Sequence, residues 1–358
     1  MPLDIPAPVL EADRIRHNIL RRVAFSRHLN PCNADAARRS FVRGAEAPPF
    51  EYIPLVEADD VLRELDACEP PRDHPAGALV GRCFDDTRRL VVALRDRTAA
   101  SFDAMARAAD WYPDAALLGL RFDEGEPDRQ RLDLGAGPVI ARLRGALVER
   151  GLADWRVEED TVMAARVLVD GAKQLLRVNP DARFRTRDVE RLVVHEIDVH
   201  AMRAANGAAQ PLCCFQTGLP GSLATEEGLA MVSEEAAGFC SPGMLARQVE
   251  VVTAIHNART MTFRELYGDI AERSGPGLAW GICLRIKRGL ARPAEPGVYA
   301  KDSVYLRGRM AVAEWLDAGG DVRHLYVGKV GIDDPVRAWL DQGWIRPGAV
   351  PPTWAARA

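Results

Sequence analysis

The chain has 358 residues, 47% of them apolar, which is enough for one large domain or two intimate ones with a substantial core. A net charge of -4 and a pI near 6.0 exclude the strongly basic balance of a nucleic-acid or acidic-membrane binder. Seven cysteines, an odd number scattered from Cys32 to Cys283, argue against a disulfide framework and fit a reducing compartment, while no apolar run reaches the roughly 18 residues of a membrane span. The first twenty residues carry acids and prolines where a secretory leader needs an unbroken apolar run, so the expectation is a cytoplasmic protein with no membrane partner.

In chain order, VLEADRIRHNILRRVAF from Val9 and DDTRRLVVALRDRTAASFDAMARAAD from Asp85 carry apolar residues at three-and-four spacing and predict amphipathic helices. Pro/Gly-rich stretches at 69–75, 123–137 and 292–297 predict surface loops. PVIARLRGALVERG predicts a further helix; WRVEE, ARVLV and QLLRV then change to strand composition, the last two forming a β-hairpin around Asp170 to Lys173. A long helix follows, with Thr186 as its cap, Asp188 in its first turn and Asn206-Gly207 as its end. The expected division is a mainly helical part over 1–135 and a catalytic part over 136–358, with a core shared between the two as the alternative.

Within that long helix, RLVVHEIDVHAM presents His195, Glu196 and His200 as H-E-x-x-x-H. Two neutral imidazoles and an acid are what a catalytic zinc ion uses, the carboxylate serving as base beside an open coordination position. The spacing is one residue too long for a plain α-helix, on which residues five apart diverge by about 140°. A π-turn or local unwinding at Ile197 to Val199 is therefore predicted, since it would bring both rings onto one face. A catalytic zinc needs a third protein ligand, and ATEEGLAMVSEEAAG offers Glu226 and Glu227 in the first turn of a helix capped by Thr225. Spacing does not choose between them. The segment joining the two helices, NGAAQPLCCFQTGLPGSLAT, is read as an ordered active-site wall. Cys213 and Cys214 read as small buried hydrophobes, His256 as structural, and His17, His28, His74 and His324 lack any ligand pattern.

The run RDVERLVVHEIDVHAMRAANGAAQPLCCFQTGLPGSLATEEGLAM resembles the signature of the microtubule-associated tyrosine carboxypeptidases and their bacterial relatives, the "QEGLA-motif" family. The H-E-x-x-x-H, NG-x-x-QPL, GLPG and T-x-EGLA elements occur in order; FSRHLNPCNADAARRSF, FEYIPL and LRIKRGLARPAEPGVYAKDSVYLRG resemble its flanking landmarks. The resemblance implies a mainly helical α+β, zincin-like metallopeptidase with a small sheet, zinc on His195, His200 and Glu227, and Glu196 as general base. Two departures stand out: Asp198-Val199 where relatives have Gly-Thr, and Glu226 where they have Gln. Neither removes a ligand, but an added carboxylate could orient an imidazole or repel substrate.

A carboxypeptidase also needs a cation for the substrate's terminal carboxylate, and Arg285, Arg288 and Lys301 are the candidates, with Tyr305 as oxyanion or substrate-backbone donor. The expected substrate is the C-terminus of a peptide or protein. Tubulin is not expected, because the eukaryotic members' long extensions have no counterpart here and the Ala/Arg-rich composition points to a bacterial member. A metalloendopeptidase maturing a small peptide and an inactive zinc-binding protein are the alternatives.

Overall fold

The computed structural model describes residues 4–123 and 132–355, so the break at 123–137 lies largely outside the described residues. The N-terminal third is helical, as its periodicity predicts. It contains α1 (Ala7–Arg22), α2 (Ala58–Ala67), α3 (Pro75–Asp96) and α4 (Ala99–Ala108), with shorter helices at Phe25–Leu29 and Ala34–Val42 between the first two. Local chemistry sets the starts: the His74 ring accepts from Ala76 N at 3.1 Å ahead of α3, with Pro75 in its first turn, and Thr98 Oγ1 accepts from Ser101 N at 3.1 Å ahead of α4. Val9, Ile19, Val61, Leu65, Val80, Phe84 and Val91 are buried on the facing stripes. Each such side chain contributes roughly 1.5–3 kcal/mol before entropic costs.

After α5 (Ala136–Glu149) come β1 (Arg156–Glu159), β2 (Val167–Asp170) and β3 (Leu175–Val178). The predicted hairpin is β2 and β3, antiparallel with Val167 opposite Val178. Its turn is fastened by Asp170 Oδ1, which accepts from Lys173 N at 3.3 Å, and closes through Gln174 at φ 51°. β1 adds on the other side of β3 in parallel, giving the order β1-β3-β2. The central strand is buried along its whole length, whereas β1 and β2 are edges.

The long helix α6 occupies residues 186–208 and is regular over Thr186–Leu192, π-helical over Val193–Ala201 and regular again over Met202–Ala208. It lies between two apolar clusters. Leu192, Val193, Ile197, Ala201 and Ala204 pack with α5 and the sheet, while Val199 and Met202 pack with residues of α1 to α4 and of the segment 322–354. Residues on both sides of position 135 thus enter one cluster. Further ties cross the same division: buried Arg16 donates to Thr217 Oγ1 (2.9 Å), and Asp13 accepts from Cys214 N (3.0 Å).

Both predicted ends of α6 differ from the structure. Thr186 is its first residue, not its cap; Asp188 Oδ2 reaches back to accept from Arg185 N at 3.2 Å. Asn206-Gly207 does not end it, because the helix continues to Ala208. Gly207 answers a packing need instead, since a Cβ there would lie 2.1 Å from Phe215 O. Asn206 Nδ2 donates to Tyr326 O (2.7 Å) and Ala349 O (2.8 Å), and Gln210 Nε2 to Val327 O and Arg346 O (both 2.8 Å). The NG-x-x-Q element therefore stitches the C-terminal segment onto α6.

The remaining long helices are α7 (Ser222–Ala236), α8 (Pro242–Asn257), α9 (Phe263–Ser274), α10 (Pro276–Lys287) and α11 (Val304–Asp317). Since α7 begins at Ser222, Thr225 is not its cap; its Oγ1 accepts from Ile332 N at 3.0 Å. Where α7 and α11 cross, Gly228 meets Gly308 backbone to backbone. The seven cysteines are all free, and among the described residues no helix is long and apolar enough to cross a membrane.

Candidate metal centre

In a π-helix the hydrogen bonds run i to i+5, so residues five apart share a face. The stretch Val193–Ala201 contains the predicted Ile197 to Val199 and extends beyond it, bringing the His195 and His200 ring centroids to 4.8 Å. Across from them α7 presents Glu227. Its Oε2 lies 3.6 Å from His195 Nε2 and 3.5 Å from His200 Nε2, and one ligand atom from each residue falls within 4.8 Å of the others.

Each ring is fixed from behind by a carboxylate. His195 Nδ1 is 2.7 Å from Glu234 Oε1, and His200 Nδ1 is 2.7 Å from Glu226 Oε1. These contacts turn both Nε2 atoms toward Glu227 and support them as donors. Glu234 is in turn held by Arg191 (2.8 Å), and Glu226 by Lys329 (2.8 Å) and buried Arg203. Burial works to raise the Glu226 carboxyl, but Lys329 and Arg203 hold it well below the usual carboxylate range. It is an anion. The departure at 226 thus orients an imidazole, while Asp198 is buried elsewhere, 2.7 Å from Arg150 Nε.

Glu227 Oε1 accepts from Lys301 Nζ at 3.2 Å, yet its Oε2 is buried with no hydrogen-bond partner among the described residues. A buried carboxylate oxygen in that state is costly unless a cation takes it. Burial alone would depress the His195 imidazole, but Glu227 and Glu234 lift it to about 10. The pocket therefore draws positive charge, and two imidazole nitrogens with one carboxylate oxygen are a donor set suited to a divalent metal.

Glu196, 8% exposed, shares a cleft of about 560 Å³ with His195, Tyr305 and Arg285. Burial and the Glu227 charge push the Tyr305 phenol well up, so it is neutral. Arg285 Nε is committed to Asp302 Oδ2 at 2.5 Å. The other two nominated cations lie elsewhere. Arg288 is buried under the Tyr299 ring, 3.7 Å from Asp302, and does not line the cleft; Lys301 is bonded to Glu227 and faces a second cavity of about 700 Å³. Residues Thr217 to Glu226 line that second cavity, together with Lys301, and do not line the cleft holding Glu196. The sequence reading also missed Glu234, although its place seven residues after Glu227, two turns along one helix face, was a usable signal. Arg203, Lys329 and Asp302 carried none.

A family model described as microtubule-associated tyrosine carboxypeptidase matches residues 123–358. The chain belongs to that family. Microtubule-associated tyrosine carboxypeptidase 1 of Mus musculus is 33% identical over 162 residues, 44% of this chain and 34% of the mouse protein. Its Homo sapiens namesake is 32% identical over 43% of this chain and 33% of its own length; the human putative tyrosine carboxypeptidase MATCAP2 is 30% identical over 49% and 34%. The matched stretch thus spans about a third of these relatives' length. The expectation against tubulin gains no support from relatives whose names place them on microtubules.

Proposed function

We propose that the chain is a zinc-dependent carboxypeptidase that removes a C-terminal residue from a peptide or protein, and that its helix-and-small-sheet catalytic part, over about 136–358, is zincin-like. The observation that carries the reading is the buried Oε2 of Glu227, without a hydrogen-bond partner among the described residues, facing two Nε2 atoms beside a cleft that contains Glu196. His195, His200 and Glu227 would hold the ion, which supplies Lewis acidity toward the scissile carbonyl and the attacking water. Glu196 makes no hydrogen bond or ion pair among the described residues and is poised to take that water's proton and return it to the leaving amine. A structural site has no use for such a base, which disfavours an inactive zinc protein. Tyr305, neutral and within hydrogen-bonding reach of Arg285, can donate to the carbonyl oxygen as charge develops there. Ala164 to Val167, leading into edge strand β2, line the same cleft, where the free edge of β2 can hold an extended peptide. The relatives' names support a carboxypeptidase with tyrosine at the cleaved end.

The test is the zinc-loaded protein incubated with a mixed peptide library, including tubulin-tail sequences, with products read by mass. Loss of single C-terminal residues is expected. Glu196→Gln should keep its zinc by elemental analysis and lose cleavage by about 10²–10⁴-fold. Full activity in that variant would overturn the mechanism, and purely internal cuts would favour the endopeptidase.

A further inference from the structure

Four arginines line the cleft beside Glu196: Arg166, Arg191, Arg247 and Arg285. Three are committed to carboxylates. Arg166 Nη1 donates to Asp188 Oδ2 at 2.8 Å, Arg191 Nη1 to Glu234 Oε1 at 2.8 Å, and Arg285 Nε to Asp302 Oδ2 at 2.5 Å. Arg247, on α8, makes no hydrogen bond or ion pair among the described residues. Partial burial of its guanidinium and the like charges of Arg166 and Arg185 work against its cationic form, and among the described residues no carboxylate offsets them. An arginine that no described carboxylate neutralises, at the accessible edge of a cleft, is a place where an anion gains on arrival.

Among the described residues the cleft's unpartnered acid is Glu196, on α6, whereas Arg247 is carried by a different helix, α8. A planar guanidinium matches a carboxylate with two parallel N–H···O bonds. Resting on the carboxypeptidase reading, we propose that Arg247 is the residue that takes the substrate's C-terminal carboxylate. The role expected of Arg285, Arg288 or Lys301 passes to it because Asp302 holds Arg285, Arg288 is buried and does not line this cleft, and Glu227 holds Lys301. Gln248, next on α8, lines the same cleft and is placed to hydrogen-bond the terminal peptide unit.

The experiment measures binding rather than turnover. Zinc-loaded Glu196→Gln protein is titrated, by fluorescence anisotropy, with an N-terminally fluorescein-labelled decapeptide ending in tyrosine as the free acid and as the C-terminal amide. The free acid should bind at least about 10-fold more tightly. Adding Arg247→Ala should shrink that preference to within about two-fold by weakening acid binding alone, and Arg247→Lys should restore part of it, since charge returns without the fork. Far-ultraviolet circular dichroism and zinc content check that the variants are folded. Equal binding of acid and amide by the Arg247 protein, undetectable binding of the acid, or a preference that survives Arg247→Ala overturns the assignment. Wild-type enzyme that still trims single C-terminal residues would show that the wider reading stands without it, whereas exclusively internal cleavage would remove that reading.

Discussion

The crossing of α7 and α11 makes the sharpest stability prediction, because Gly228 follows Glu227 directly. A Cβ on Gly228 would lie 2.1 Å from Gly308 C and 2.2 Å from Gly308 O, and a Cβ on Gly308 would lie 1.8 Å from Ala224 O. These are backbone atoms that cannot rotate aside. Ordinary contact begins near 3.4 Å, so Gly228→Ala must separate the helices by about 1.3 Å, the difference between 3.4 and 2.1 Å. Overpacking of this kind costs about 1–3 kcal/mol, and the rigid partner puts the expected loss at the upper end, about 3 kcal/mol. The same displacement would break the 3.2 Å Lys301–Glu227 contact, since Lys301 lies just before α11. Denaturant midpoints together with zinc affinity by competition with a chelator measure both effects. Gly268→Ala in α9 is the control: nothing lies within 4 Å of its Cβ, so it should stabilise by up to about 1 kcal/mol. A Gly228→Ala protein with unchanged midpoint and unchanged zinc affinity would refute the reasoning.

Glu226→Gln leaves buried Arg203 and Lys329 without their carboxylate; a loss of about 3–5 kcal/mol and 10–100-fold weaker zinc binding are expected, read by denaturation and chelator competition. Asp198→Asn should destabilise through Arg150, its partner at 2.7 Å, while leaving zinc stoichiometry at one per chain by elemental analysis. Lys287 is buried, donates to Met261 O and Glu295 O, and is pushed by burial down to about 8 from 10.5. The unfolded chain therefore binds the extra proton between pH 8 and 10.5, so this group's contribution to stability rises with pH across that window, by about 3 kcal/mol in full, and its cost is fully present below pH 8. The stability difference between wild type and Lys287→Met, measured by urea titration at pH 7.5 and 9.5, should move in the wild type's favour at the higher pH; a constant difference would exclude the linkage.

The elements of this fold were legible wherever a local pattern carried them. Three-and-four spacing announced the N-terminal helices, turn composition around Asp170 announced the hairpin, and an overlong histidine spacing announced the π-helix, because helical phase is a property of neighbouring residues alone. Element ends were less legible. Thr186 and Thr225 look like caps in isolation, but Asp188 and the helix beginning at Ser222 took those positions, and Gly207 is required by the Phe215 carbonyl, which lies in another segment.

The site divides along the same line. The sequence by itself determined the metal-binding residues as candidates, because His195, Glu196 and His200 are a local pattern and Glu227 sits in a recognisable motif. Only the tertiary structure decided which cations are free. Whether an arginine is spent or available depends on carboxylates brought to it from distant segments, as Asp302 is to Arg285, Glu227 to Lys301 and Glu234 to Arg191. Arg247 is distinguished by having no carboxylate partner among the described residues, and charge pairing across a folded chain leaves no trace in the order of its residues.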